Sequence, residues 1–212
     1  MATENYRIVR CPYCSNEFEA KFWSVVRGDI DINIKEIIIN GEFNLLMCPQ
    51  CQKIFSLEEN FIYLDPSAKI LAFVMPGYYK ERKELVEKLK DDYDSIKEHL
   101  ISEGKLNFKP YYLFGIDELI DILKNDMDIQ EETDVIYFVC EQKKLNVKKI
   151  DKIRAREKGL PFIMPYSKGL SIADIIKTLK EIIKENKKLK RLQNLINELE
   201  KNGEDIDFLD ED

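Results

Sequence analysis

Two Cys-Pro-x-Cys motifs constrain what this chain can fold into more than any other feature. They are Cys11-Pro12-Tyr13-Cys14 and Cys48-Pro49-Gln50-Cys51, separated by 33 residues, and they take four of the five cysteines. A two-residue gap lets one tight turn aim both sulfurs the same way. Proline suits the gap because its φ is already fixed near the turn value. Two such pairs supply the four soft ligands that tetrahedral zinc takes at about 2.3 Å. The expected cofactor is therefore one structural Zn2+ held by Cys11, Cys14, Cys48 and Cys51. Iron would accept the same donors, and zinc is the usual occupant.

Two rival uses of the cysteines are weighed against the metal. The chain opens Met-Ala-Thr-Glu-Asn, without the apolar stretch of a secretory signal, and holds no run of 18 apolar residues. The expected setting is cytoplasmic and reducing, with no membrane partner, where structural disulfides are disfavoured. A thiol redox enzyme would set one motif between a strand and a long helix. Here the first motif runs into Phe18, Ala20 and Phe22 alternating with Glu17, Glu19 and Lys21, which is strand patterning. No nucleophile–base constellation is legible, and G-x-x-x-x-G-K-[ST], G-x-G-x-x-G and H-E-x-x-H are all absent.

The remaining pattern predicts an α+β protein. Its expected start is a zinc-ribbon-like β unit with antiparallel strands, followed by amphipathic helices and a C-terminal helical extension. Residues 18–26 and 43–47 read as strands. Residues 30–41 fit either alternation or a short helix capped by Asn33 and closed by Asn40-Gly41. Phe61–Leu64 and Ile70–Met75 are strand-length apolar runs joined by Asp65-Pro-Ser-Ala-Lys69, a hairpin signal. Leu85, Leu89, Tyr93, Ile96 and Leu100 follow helical spacing, and Gly115–Leu123 has the same period. Val135–Cys140 fits a strand or a buried helix segment. Ser171 with Asp174 marks a helix start. The stripe from Ile172 to Leu199 reads as one helix long enough for a coiled coil.

Charge is unevenly placed along the chain, although the net charge is only −7. Residues 143–191 carry 16 basic and 5 acidic side chains, whereas residues 198–212 carry 8 acidic side chains and one lysine. These shifts suggest three regions: a zinc-binding domain over 1–139, a basic helical extension over 140–202, and an acidic, mobile tail over 203–212. With 44% hydrophobic residues the chain can bury a core, so the metal need not carry the whole fold.

At the two CPxC motifs, at Phe61-Ile-Tyr-Leu-Asp-Pro and at Phe73-Val-Met-Pro, the sequence resembles the CpXC-domain family of prokaryotic proteins. Phe114-Gly-Ile-Asp-Glu-Leu is similar to that family more loosely. The resemblance spans residues 7–139 and leaves the basic end unmatched. It implies a zinc-binding domain with Cys11, Cys14, Cys48 and Cys51 as ligand positions, and it implies no particular activity. Such knuckles often set glycine after the second cysteine, where the backbone turns left-handed. Ser15 and Gln52 occupy those places here, and Asn16 is expected to take the first of these turns.

Other residues read as structural. Cys140 and Trp23 are expected in the core, His99 on a charged helix surface, and Tyr78-Tyr79 and Tyr111-Tyr112 as packing pairs. The functional expectation is a zinc-binding structural and interaction module. Its helices would present a partner surface, and residues 172–199 would bind a protein partner or a second copy. The alternatives are nucleic-acid binding through the basic segment 143–191, which is not favoured, and a thiol redox enzyme.

Overall fold

The computed structural model describes residues 2–102, 108–166, 171–186 and 188–202, with the side chains of 96–102 set aside. His99 and the acidic tail lie outside those descriptions. The chain forms two compact units, Met1–Leu123 and Lys124–Asp212. The dividing point falls upstream of the 139/140 boundary that the charge pattern suggests.

The first unit is built on a five-stranded sheet in the order β1-β2-β5-β6-β7. Its strands are β1 (Thr3–Arg10), β2 (Glu17–Arg27), β5 (Phe61–Asp65), β6 (Ile70–Met75) and β7 (Tyr111–Phe114). The β1–β2 and β5–β6 pairs are antiparallel, while β2–β5 and β6–β7 are parallel. The sheet is therefore mixed. A separate hairpin joins β3 (Leu45–Met47) to β4 (Ile54–Ser56). Helix α1 (Ile32–Ile39) precedes that hairpin, and α2 (Lys83–Ser102) connects β6 to β7.

The ambiguous segment 30–41 resolves as helix α1, with Asp31 rather than Asn33 at its N-cap. Asp31 fits because its carbonyl accepts from Ile34 and Lys35, the first intrahelical bonds, and its carboxylate accepts from Arg27 N at 3.2 Å. Asn40 and Gly41 end the helix as expected, with Gly41 at φ +74°. Tyr111-Tyr112 lie in a strand, not at a helix boundary, and Tyr112 stacks on Phe73 at 5.6 Å. The core of the unit gathers Val26, Ile38, Tyr63, Ile70, Leu119 and Leu123. Gly28 lies against the fully buried Tyr63, whose phenol would overlap any side chain there.

The β5–β6 turn is pinned by a buried carboxylate. Asp65 is 1% exposed and accepts from Ser67 Oγ at 2.6 Å, Ala68 N at 2.9 Å and Lys35 Nζ at 3.0 Å. Burial opposes its charge, but these donors outweigh burial and hold the carboxyl below its ordinary value. A depressed folded-state pKa gives stability that is fully present above the unfolded-state value. That stability drains away as pH falls through the folded-state value. Asp65→Asn is thus expected to cost roughly 1–2 kcal/mol at neutral pH. It should also flatten the stability profile below about pH 4. Urea titrations of both proteins across that range check this, and parallel profiles would contradict it.

The second unit has its own core. Helix α3 (Ile116–Gln142) is continuous, so Val135–Cys140 is helix. Leu119, Ile120 and Leu123 of α3 belong to the first core; Ile129, Ile136 and Cys140 belong to the second. Helix α3 therefore contributes side chains to both cores. The remaining elements are β8 (Asn146–Lys149), α4 (Lys152–Lys158), β9 (Ile163–Tyr166), α5 (Ile172–Glu185) and α6 (Lys190–Asn202). The region expected as a helical extension therefore also contains an antiparallel strand pair, β8–β9, connected through α4. Helix α4 is capped by Asp151, which accepts from Ile153 and Arg154, and by Gly159 in the left-handed region.

The stripe from Ile172 to Leu199 is two helices rather than one. Ser171 and Asp174 form a full capping box at the start of α5. That helix stops at Asn186, and the chain restarts at Lys190. Folding back lets Ile175, Leu179, Ile182, Leu192, Ile196 and Leu199 bury together in one core. The apolar seam expected for a coiled coil is occupied inside the unit. Among the described residues, no helix is long and apolar enough to cross a membrane.

Candidate metal centre

Both CPxC motifs sit at the tips of hairpins. The first joins β1 to β2, and the second joins β3 to β4. They share one local geometry. Ser15 N donates to Cys11 O at 3.0 Å, and Gln52 N donates to Cys48 O at 2.9 Å. Cys11 N donates to Asn16 O at 2.9 Å, and Cys48 N donates to Lys53 O at 3.0 Å. The pairing begins in step: Arg10 opposes Glu17, and Met47 opposes Ile54. Ser15 and Gln52 themselves take the left-handed turn, at φ +61° and +59°. The expectation that Asn16 would take it is corrected. The bond from each residue to the first cysteine's carbonyl fixes the turn directly after the second cysteine, whatever side chain stands there.

The second knuckle is tethered to β2 by one side chain. Asn44, itself at φ +53°, accepts from Trp23 N through Oδ1 at 3.0 Å and donates to Trp23 O through Nδ2 at 3.4 Å. A side-chain amide thus imitates a neighbouring strand. Asn44→Ala is expected to destabilise the first unit by about 2 kcal/mol, because the half-buried Trp23 N–H loses its acceptor and alanine must hold a left-handed φ. Asn44→Asp, which keeps the acceptor, should lose less. Equal urea midpoints for the wild type and the alanine variant would refute the tether.

The two knuckles bring four sulfurs together. Cys11 Sγ lies 3.7 Å from Cys51 Sγ, and Cys14 Sγ lies 3.6 Å from Cys48 Sγ. All four sulfurs are within 4.8 Å of one another. A tetrahedron with metal–sulfur bonds of about 2.3 Å has edges of about 3.8 Å, so the cluster is sized to hold one metal ion. Cys11 and Cys48 are buried, Cys51 is half-buried and Cys14 is exposed.

The electrostatics fit a cation. The Cys51 backbone N–H at the Cys48 sulfur, helped by that of Gln50, outweighs burial and brings the Cys48 thiol down to about 6. At Cys14 the Asn16 backbone N–H lowers the value, but burial and the neighbouring Cys48, Cys51 and Cys11 drive it up to about 12. Adjacent sulfurs oppose accumulating negative charge, and a metal ion removes that opposition. Cys140 takes no part. It sits 1% exposed in the second core, where burial pushes its thiol up to about 11.

Several side chains of the basic segment are paired. Arg156 forks onto Asp126 at 2.6 and 2.7 Å. Lys158 meets Glu198 at 2.9 Å, Lys180 meets Glu200 at 2.6 Å, and Arg191 meets Glu132 at 3.5 Å. Glu132 also accepts from Leu192 N at 2.9 Å, capping α6 from 60 residues away. These charges hold the second unit together, which weakens their claim as a phosphate-binding face. The carboxylate partners Asp126 and Glu132 lie in the acidic stretch before residue 140, so charge counting along the chain could not pair them.

A family model described as CpXC protein matches residues 9–131, which include all four clustered cysteines. No curated protein and no solved structure matches the chain. Two matched knuckles, one four-sulfur cluster and a match over more than half of the sequence lead to one conclusion: the chain belongs to the CpXC protein family.

Proposed function

We propose that this protein is a zinc-dependent structural and interaction module. One Zn2+ joins two hairpin tips, and helices present a surface to a protein partner. The observation that carries the reading is the convergence of Cys11, Cys14, Cys48 and Cys51 within 4.8 Å from two identical knuckles. Four thiolates fill a tetrahedron, so the role that follows is support of the fold. The exposed Tyr137 and Phe138 of α3 support a partner surface, since large aromatics left in water are typical interface anchors.

Elemental analysis of native protein combined with thiol titration tests the proposal. One zinc per chain is expected, with thiols that react slowly until a chelator is added. Absence of stoichiometric metal, or rapid reaction of two thiols without chelator, would replace this reading with a redox one.

A further inference from the structure

Among the described residues of the first unit, no strand pairs with the outer edge of β1. Among the described residues β1 pairs only with β2, and Thr3 to Ile8 are all exposed. Tyr6 and Ile8 are 61% and 71% exposed. Soluble proteins usually blunt a long edge strand with proline, lysine or a central bulge. β1 has no proline or lysine, and its irregularity lies at one end, between Thr3 and Glu4.

The backbone polarity of that edge follows from the knuckle. Cys11 N donates to Asn16 O, so Cys11 and Asn16 are a hydrogen-bonded pair. Pairs alternate along an antiparallel ladder. Arg10, Ile8, Tyr6 and Glu4 therefore turn their N–H and C=O groups away from β2. Trp23, which opposes Glu4, agrees: its own N–H and C=O bond to Asn44 instead.

We propose that β1 is a self-association edge that pairs antiparallel with β1 of a second copy, centred on Arg7. Only an arrangement that sets even residues opposite even residues satisfies the outward groups. Centring on Arg7 sets Glu4, which also meets Lys21 of its own chain, opposite the partner's Arg10 and Tyr6 opposite the partner's Ile8, each occurring twice by symmetry. Opposite charges and an aromatic–β-branched pair are the favoured cross-strand combinations. A centre on Tyr6 would set Glu4 against the partner's Ile8 and lose both ion pairs. The two Arg7 side chains meet at the axis, but each is held at 2.5 Å by Glu59 of its own chain. The joined sheets would remove both open edges, an isologous contact of the commonest symmetry.

Sedimentation of the full chain over a concentration series tests this, with thermal melts as the folding control. The wild type should show a monomer–dimer equilibrium. Glu4→Arg or Arg10→Glu alone sets like charges in both pairs and should weaken dimerisation by roughly tenfold or more. The double variant restores opposite pairs and should recover it. Ile8→Pro removes an N–H that β2 does not use, and should yield a folded monomer. A wild type that stays monomeric, a dimer indifferent to the single changes, or a double variant no tighter than the singles would overturn the proposal. None of these results depends on which metal the cysteines hold.

Discussion

Stripping the metal with a chelator is expected to unfold the ribbon while the main sheet survives. The β3–β4 hairpin has three residues in each strand and leaves Leu45, Met47 and Ile54 exposed. A two-stranded piece of that size does not hold itself together in water. Its order rests on the sulfur cluster and on Asn44. Structural four-ligand zinc contributes on the order of 10 kcal/mol to the folding of such units at neutral pH. The core around Tyr63, Ile70 and Leu119 contains none of the four cysteines. Hydrogen exchange should therefore show lost protection at Ser15, Cys48 and Gln52 after chelation, with β5 and β6 still protected. Cys48→Ser should reproduce the effect, and Cys140→Ser should retain full metal content. Binding requires thiolates, so affinity should fall as pH is lowered. Uniform loss of protection across the first unit would mean that the metal supports the whole core.

Asp126→Ala is expected to destabilise the second unit by roughly 3 kcal/mol. The Arg156 and Asp126 side chains are 7% and 16% exposed, and the fork between them is bidentate. Removing the carboxylate strips that fork from a guanidinium with little access to water. The cost is therefore much larger than for the exposed pair Arg154–Glu157, where Glu157→Ala should cost under about 1 kcal/mol. Replacing both partners, as Asp126→Ala with Arg156→Met, should recover most of the loss, because the buried charge goes too. Guanidinium titrations of the wild type, Asp126→Ala, Arg156→Met and the double variant close the cycle. A single-mutant loss no larger than that of Glu157→Ala would show that the pair is solvated in solution.

The four-cysteine cluster was legible because its chemistry is local. C-x-x-C spacing is itself a turn, and cysteine has few other reasons to recur in that form, so all four residues could be named without coordinates. The β5–β6 hairpin and the helix start at Ser171 were legible for the same reason. Each depends on neighbours within a few positions. The pairing of the basic segment was not legible, because it depends on partners such as Asp126 for Arg156, 30 residues away, and Asn125 for Arg191, 66 residues away. The α4 helix was overlooked although Asp151 and Gly159 mark both its ends.

By itself, the sequence determined which four cysteines would cluster, the α+β class and most of the short-range turns. These follow from local sterics, cap chemistry and periodicity, which act over a few residues. Only the tertiary structure decided that one helix feeds two cores and that the C-terminal stripe folds back on itself. It also decided that β7 and the β8–β9 pair exist and that, among the described residues, β1 pairs on one side alone. An apolar stripe states that it must be buried, but not against what; that choice is made by whichever surfaces the rest of the chain brings within reach.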